Sequence, residues 1–109
     1  MLMIKFLTQL FTRSKLNVVE KDEVISESGW RLRFLGNSPG TWRVEYTEGE
    51  KVVTTIVEPP GAFWYVDLSD ASWDTSSGQI EITDTDKKRI RENIQQGMRA
   101  LKHACKVKF

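Results

Sequence analysis

The apolar residues near the end of the chain recur at the spacing of an α-helix. They follow one another at intervals of four, four, three and four residues, which places them on one stripe of a helix. They are Ile90, Ile94, Met98, Leu101 and Cys105. A hydroxyl at Thr83 can accept a backbone N–H and cap the helix N-terminus. We therefore predict a helix over residues 84–105 whose apolar stripe is buried against the rest of the protein.

Gly97 lies on the same side of this predicted helix as the apolar stripe. Glycine costs about 1 kcal/mol relative to alanine inside a helix. We therefore expect Gly97 to let the helix backbone approach its packing partner closely.

Two stretches upstream alternate between apolar and polar residues, as half-buried β-strands do. In residues 30–35 the apolar positions are Trp30, Leu32 and Phe34, and residues 41–46 repeat the pattern. Residues 36–40, Gly-Asn-Ser-Pro-Gly, have the composition of a turn. These three segments predict a β-hairpin.

Shorter runs extend this sheet. Residues 51–57 are rich in β-branched side chains, residues 63–68 are apolar on both faces apart from Asp67, and residues 79–83 alternate. We predict a strand at each, with 63–68 central in the sheet. Two weak strand-like runs occupy residues 16–27, and residues 69–78 are predicted to form a polar loop around Trp73.

Strands followed by a helix, rather than alternating strands and helices, indicate an α+β fold. We predict one domain over residues 1–109, with a single antiparallel, meandering sheet of five to six strands over residues 16–83 and the C-terminal helix packed on one face.

Residues 1–15 are apolar but too short to cross a bilayer, which takes about 20 residues, and lack a signal-peptide cleavage pattern. They are expected to be either a short helix or strand on the core, or a mobile arm. With one cysteine in 109 residues, a reducing, cytoplasmic location is expected.

The net charge of +1 conceals a strong division along the chain. Residues 16–86 contain five basic and fourteen acidic residues, whereas residues 87–109 contain eight basic residues and one acidic residue. No lysine or arginine occurs between Val52 and Asp86. The acidic and basic segments can balance each other's charge within the domain, or the acidic segment can form a face that binds a basic partner.

Catalytic chemistry is poorly supported by the residue types present. The only histidine, His103, is two positions from Cys105, so on a helix the two side chains would point in different directions. The spacing of Asp67, Asp70 and Asp74 suits a solvated acidic rim better than a metal site, and neither a phosphate-binding glycine loop nor a nucleophile elbow occurs. We expect no catalytic residues, no metal and no cofactor.

Trp73 lies within the acidic stretch, and two interpretations of it are open. The ring can tuck back onto the sheet edge or helix start, or it can be exposed as an anchor for a partner, since tryptophan is enriched at interface hot spots. An exposed ring among aspartates would suit a basic partner surface.

The order of an aromatic strand FWYVDL, a Trp-Asp segment ASWDTSSG, a short strand QIEIT and the helix DTDKKRIRENIQQGM resembles small immunity proteins of bacterial polymorphic toxin and contact-dependent growth inhibition systems. The resemblance spans residues 30–101. It implies a non-enzymatic inhibitor that binds a cognate toxin C-terminal domain, typically a basic nuclease, with no small-molecule substrate and no membrane. The expected partner-binding residues are Asp67, Asp70, Trp73, Asp74, Glu81 and Asp84.

A second function class remains open from the charge pattern alone. The helix carries a basic face that could follow a nucleic-acid backbone. Its residues are Lys88, Arg91, Arg99 and Lys102. The pI of about 7.8 is low for a nucleic-acid-binding domain.

Overall fold

The computed structural model describes residues 15–20, 22–36, 42–58, 64–103 and 105–109. The expectations for the N-terminal segment fall outside these ranges, apart from Lys15. The described part contains nine strands and one helix, and their bounds are as follows. The strands are β1 Leu16–Glu20, β2 Glu23–Ser26, β3 Trp30–Leu35, β4 Arg43–Glu48, β5 Lys51–Glu58, β6 Trp64–Asp67, β7 Ser72–Thr75, β8 Gly78–Glu81 and β9 Cys105–Lys108, and the helix α1 is Asp84–Ala100.

All nine strands belong to one mixed sheet of an α+β fold. The main path runs β1-β2-β3-β4-β5-β6-β9, and the β7–β8 hairpin branches from β5. Every pairing is antiparallel except that of β6 with β9, which is parallel. The prediction of α+β is confirmed. The prediction of a purely antiparallel sheet of five to six strands is wrong, because β7 was expected to be loop and β9 returns beside β6 after the helix in a parallel pairing.

The β3–β4 hairpin forms the centre of the sheet, and its register explains the alternation in the sequence. Leu32 is opposite Tyr46 and Phe34 is opposite Val44, and all four side chains are buried. Arg33 and Glu45 are opposite each other on the outer face and form an ion pair of 3.4 Å. One face of the sheet therefore forms the core, and the other face is polar.

Helix α1 packs on the inner face of the sheet through its apolar stripe. Ile90, Ile94 and Met98 are fully buried in the same cluster as Leu32 and Tyr46. The predicted close approach at Gly97 is confirmed, because a Cβ atom built there would lie 2.5 Å from Cδ2 of Leu32. Within the described ranges, no helix is long and apolar enough to cross a bilayer.

The helix begins as predicted but ends earlier. The Thr83 hydroxyl accepts the backbone N–H of Asp86 at 3.2 Å. At the other end, the N–H groups of Lys102 and His103 bond to the carbonyls of Arg99 and Met98, which is the pattern of a Schellman motif. Lys102 takes the left-handed conformation with φ of 66° and stops the helix. Cys105, predicted on the helix, therefore lies in β9.

Residues 69–78 are not a loop throughout. Ser72–Thr75 forms β7, which pairs with β8 and at Asp74 with β5. Strand β6 is covered on its inner face only, since Val66 is buried while Tyr65 and Asp67 are exposed. The predicted central strand is thus covered on one side by the described residues.

Candidate functional site

Two of the predicted acidic residues share the outer face of the β7–β8 hairpin. Trp73 points inward, so its neighbour Asp74 points outward. Asp74 is opposite Gln79 and Ser72 is opposite Glu81, and directly opposite residues lie on the same face of an antiparallel pair. Asp74 and Glu81 are therefore exposed on one side of the hairpin.

Two further acidic residues border a shallow groove beside this hairpin. Asp67 and Asp70 line a cavity of about 310 Å³ together with Thr54 and Ile56 of β5. The backbone N–H and the hydroxyl of Ser69 donate to Oδ1 of Asp67 at 2.9 and 2.6 Å, and these bonds hold the pKa of Asp67 below its ordinary value. Ile56 is 60% exposed, so the groove has an apolar element.

Strand β5 contacts both pairs of acidic residues, Asp74 with Glu81 and Asp67 with Asp70. Val52 is opposite Asp74, and Thr54, two residues further along the same face, lines the groove. We call Asp67, Asp70, Asp74 and Glu81 the acidic surface. None of these four carboxylates forms an ion pair with a described residue, whereas Glu23, Glu45 and Glu48 are each paired with arginine.

Trp73 is not part of the acidic surface. The ring is 1% exposed, its Nε1 donates to Oδ2 of Asp86 at 3.4 Å, and the Lys51 ammonium lies 5.7 Å from the ring centroid. The tucked-back interpretation therefore describes this ring. A contact between Trp73 and a partner needs an exposed ring, so Trp73 does not serve as an anchor in this conformation.

Asp84 is the first residue of α1 and, unlike the four residues of the acidic surface, forms an ion pair, with its carboxylate 3.6 Å from the Lys87 ammonium. The residues of the alternative nucleic-acid face are only partly together. Lys88, Arg91 and Arg99 are exposed on α1, with the Arg91 guanidinium 5.5 Å from the centroid of Phe109. Lys102 follows the helix in a left-handed conformation and does not continue this face.

A polar network that the sequence did not suggest connects the helix to the inner face of the sheet. Arg89 forms two hydrogen bonds with the Glu48 carboxylate, of 2.9 and 2.8 Å, and one of 2.8 Å with Asp86. The Tyr46 hydroxyl donates to Glu48 and accepts from the Asn93 amide at 2.8 Å. Through Asp86 the network also includes Trp73.

The network perturbs the acid–base properties of its members. Burial, with the hydrogen bond to Glu48, raises the pKa of Tyr46, so the phenol remains protonated. Partial burial opposes the ionisation of Asp86, but hydrogen bonds from Arg89 and Trp73 outweigh it and hold the pKa of Asp86 below its ordinary value. The bonds to Glu48 raise the pKa of Arg89, which stays charged. The network therefore holds one guanidinium between two carboxylates.

A pocket of about 450 Å³ opens beside this network, and we call it the turn pocket. Its walls come from the β2–β3 turn, the β4–β5 turn and one side of α1. The lining residues are Ser28, Gly29, Trp30, Glu48, Gly49, Arg89 and Asn93. The pocket is separate from the acidic surface.

Cys105 and His103 do not form a nucleophile and base. The His103 ring stacks on Phe34 with centroids 4.7 Å apart and packs edge-on against Trp64. Burial, opposed by the nearby Arg99, raises the pKa of Cys105 to about 11, which is the reverse of thiol activation. Among the residues that the structure describes, no three histidine, cysteine or acidic side chains gather as a metal site.

Sequence reasoning missed the network because its parts are over forty residues apart. The available signal was local. Arg89 and Asn93 are four residues apart and flank the buried Ile90 and Ile94, so they lie at the edge of the core-facing stripe.

Comparison with known proteins identified no relative, since no family model, curated protein or solved structure matches the chain significantly.

Proposed function

We propose that this chain is a non-catalytic immunity protein, which binds and neutralises the toxin domain of a bacterial polymorphic toxin or contact-dependent inhibition system. The acidic surface of Asp67, Asp70, Asp74 and Glu81 carries the proposal, together with the resemblance of residues 30–101 to such proteins. Their carboxylates are exposed and have no ion-pair partner among the described residues, so they are available to a basic protein.

The mechanism is steering followed by occlusion. A negatively charged surface attracts a basic partner over about 10 Å at 0.1 M salt, which raises the association rate. Nuclease domains bind phosphates through basic surfaces, so covering such a surface blocks access of the substrate. The groove beside Asp67 and Asp70 adds the exposed Ile56 as an apolar contact, in place of Trp73.

The cytoplasm is the proposed location, because a nuclease toxin that enters a cell must be neutralised there. The single cysteine is compatible with a reducing compartment. No catalytic step is proposed for the chain itself.

The test begins by capturing partners of the tagged protein at low and high salt and identifying them by mass spectrometry. The captured toxin domain is then purified and tested for toxicity in cells that express this chain. The expected result is survival with the wild-type chain and death with an Asp70→Lys/Asp74→Lys variant. Glu27→Lys/Glu92→Lys is the matched control, since both residues are exposed acids outside the acidic surface and the change in charge is equal.

Binding kinetics provide the decisive comparison. For the wild type, the association rate should fall as salt rises, and the Asp70→Lys/Asp74→Lys variant should associate at least about tenfold more slowly than the control variant. Equal association rates for the two variants, without salt dependence, would contradict a role for the acidic surface. Recovery of nucleic acid with no protein partner would instead favour the basic face of Lys88, Arg91 and Arg99.

A further inference from the structure

The turn pocket is a preformed cavity beside the polar network, and the proposed immunity function does not use it. Its volume of about 450 Å³ falls in the range of small-ligand sites, about 300–1,000 Å³. Trp30 supplies the apolar side chain of the lining, and Gly29 and Gly49 line the pocket without side chains. The polar lining residues are Ser28, Glu48, Arg89 and Asn93.

The hydrogen-bond chain fixes the orientation of the Asn93 amide. The Tyr46 hydroxyl has one hydrogen, and this hydrogen goes to the Glu48 carboxylate, which can only accept. The Tyr46 oxygen must then accept from Asn93, so the nitrogen of the amide faces Tyr46. The Asn93 Oδ1 acceptor therefore remains for another group.

Arg89, which also lines the pocket, has one donor atom that the network does not use. Its Nε and Nη2 atoms are used by Glu48 and Asp86, whereas Nη1 has no hydrogen bond to any residue in the described ranges. The side chain is 44% exposed. No buried side-chain nitrogen or oxygen in the described part lacks a partner, so the free Asn93 oxygen is reached by solvent. Two residues that line the pocket thus each have one atom without a hydrogen-bond partner in the described part, a donor on Arg89 and an acceptor on Asn93.

The charges around the pocket select against an anion, and the unused Arg89 donor selects against a cation that has no acceptor atom. The guanidinium of Arg89 is balanced by Glu48 and by Asp86, so an anion would meet a net negative surrounding. A cation placed against the free Nη1 would meet the guanidinium itself. A neutral group that has both an acceptor and a donor can bond to Nη1 of Arg89 and to Oδ1 of Asn93.

We propose that the turn pocket binds a neutral carboxamide. Its carbonyl oxygen accepts from Nη1 of Arg89, its N–H donates to Oδ1 of Asn93, and its apolar body lies against Gly29, Gly49 and Trp30. A free small amide and the side chain of a protein glutamine share this chemistry.

The experiment is a titration of the full-length, ¹⁵N-labelled protein followed by NMR with three flat compounds of similar shape. Benzamide is neutral, benzoate is an anion without donors, and benzamidinium is a cation without acceptors. Benzamide should give saturable shifts at Gly29, Gly49 and Asn93, with a Kd of the order of 1–10 mM for so small a ligand. Benzoate and benzamidinium should bind at least about tenfold more weakly.

Two variants and one control test the residues. Asn93→Leu removes the acceptor at similar volume and should weaken benzamide binding at least about tenfold. Ser28 lines the pocket outside the Arg89–Glu48–Tyr46–Asn93 network, so Ser28→Trp should fill part of the pocket and tests it even if Asn93→Leu folds poorly. Gln95→Leu removes an amide from the same helix outside the pocket and should leave binding unchanged.

A fourth titration, with N-acetylglutamine N-methylamide, distinguishes the sources of the carboxamide. Binding at least as tight as that of benzamide assigns the pocket to a glutamine side chain of a protein, and weaker binding assigns it to a free small amide. Absence of saturable benzamide shifts, or equal binding of benzoate, overturns the proposal. The toxin-protection experiment reports on other residues, so either proposal can fail alone.

Discussion

Gly97 of α1 lies directly over Leu32 of β3, and a Cβ atom on Gly97 would be 2.5 Å from Cδ2 of Leu32 and 3.2 Å from Cζ3 of Trp30. Both of these side chains are buried. The helix therefore packs on the sheet at a distance where a side chain at position 97 would force its neighbours to shift.

We predict that Gly97→Ala destabilises the protein by about 1 kcal/mol. Alanine gains about 1 kcal/mol of helix propensity, but forcing a methyl group into a filled core costs about 1–3 kcal/mol. Denaturant unfolding gives the free-energy difference.

The same substitution in a Leu32→Ala background provides the control. With the Leu32 side chain removed, Gly97→Ala should be neutral or stabilising, although Leu32→Ala itself costs about 2–5 kcal/mol. Stabilisation by Gly97→Ala in the wild-type background would contradict the close contact.

Lys102→Gly is predicted to stabilise the protein by about 0.5–1 kcal/mol. Lys102 occupies the left-handed position of the Schellman motif, where glycine carries no Cβ penalty. Lys88→Gly makes the same chemical change at an exposed position inside α1 and should destabilise by about 1 kcal/mol. Melting temperatures should thus move in opposite directions, and a decrease for both variants would count against the prediction.

We predict that ionisation of Asp86 makes the free energy of unfolding depend on pH in the acid range. Its pKa in the folded protein is lowered, so its charge contributes stability that is present above the unfolded-chain value of about 3.9 and is lost as pH falls through the folded value. The stability difference between wild type and Asp86→Asn should therefore shrink below about pH 4. Unfolding curves at several pH values measure this difference.

Trp73→Phe offers an intermediate case, because it keeps a buried ring and removes one of the donors to Asp86. Its acid-induced loss of stability should fall between those of the wild type and Asp86→Asn. If all three proteins lost the same amount of stability as pH fell, the Asp86 charge would contribute nothing to stability.

The thiol of Cys105 is predicted to be unreactive at neutral pH. Burial raises its pKa to about 11, whereas an unperturbed thiol titrates near about 8.5. Since the thiolate is the reactive form, labelling by a disulfide reagent at pH 8 should be at least about a hundredfold slower than in the denatured chain. The chain has one cysteine, so the measured labelling rate belongs to Cys105. Equal labelling rates in the folded and denatured chain would contradict the prediction.

The features that the sequence predicted well are those set by local interactions. The Thr83 cap depends on residues three apart, and the β3–β4 hairpin is marked by alternation on both strands and by turn residues between them. Gly97 was recognised because its position relative to the apolar stripe follows from helix geometry alone.

The sequence did not predict features that depend on contacts between residues distant in the chain, or on sequence patterns only a few residues long. Strand β7 has one inward apolar residue, Trp73, between polar ones, so its composition is that of a loop. Cys105 matches the helical spacing by coincidence, because the helix stops at a left-handed lysine that carries no sequence signal. The acidic surface needed the pairing of β5 with β7 to bring its residues together, and the turn pocket needed the packing of α1 on β4.

The parallel pairing of β6 with β9 has a consequence for the order of folding. Trp64 and Cys105 are partners about forty residues apart in sequence, whereas the β1–β2, β3–β4 and β7–β8 hairpins join near neighbours. Closing the longer loop, which contains β7, β8 and α1, costs more chain entropy. Strand β9 should therefore dock last, and amide hydrogens of β6 and β9 should exchange with solvent before those of β3 and β4 when the protein opens.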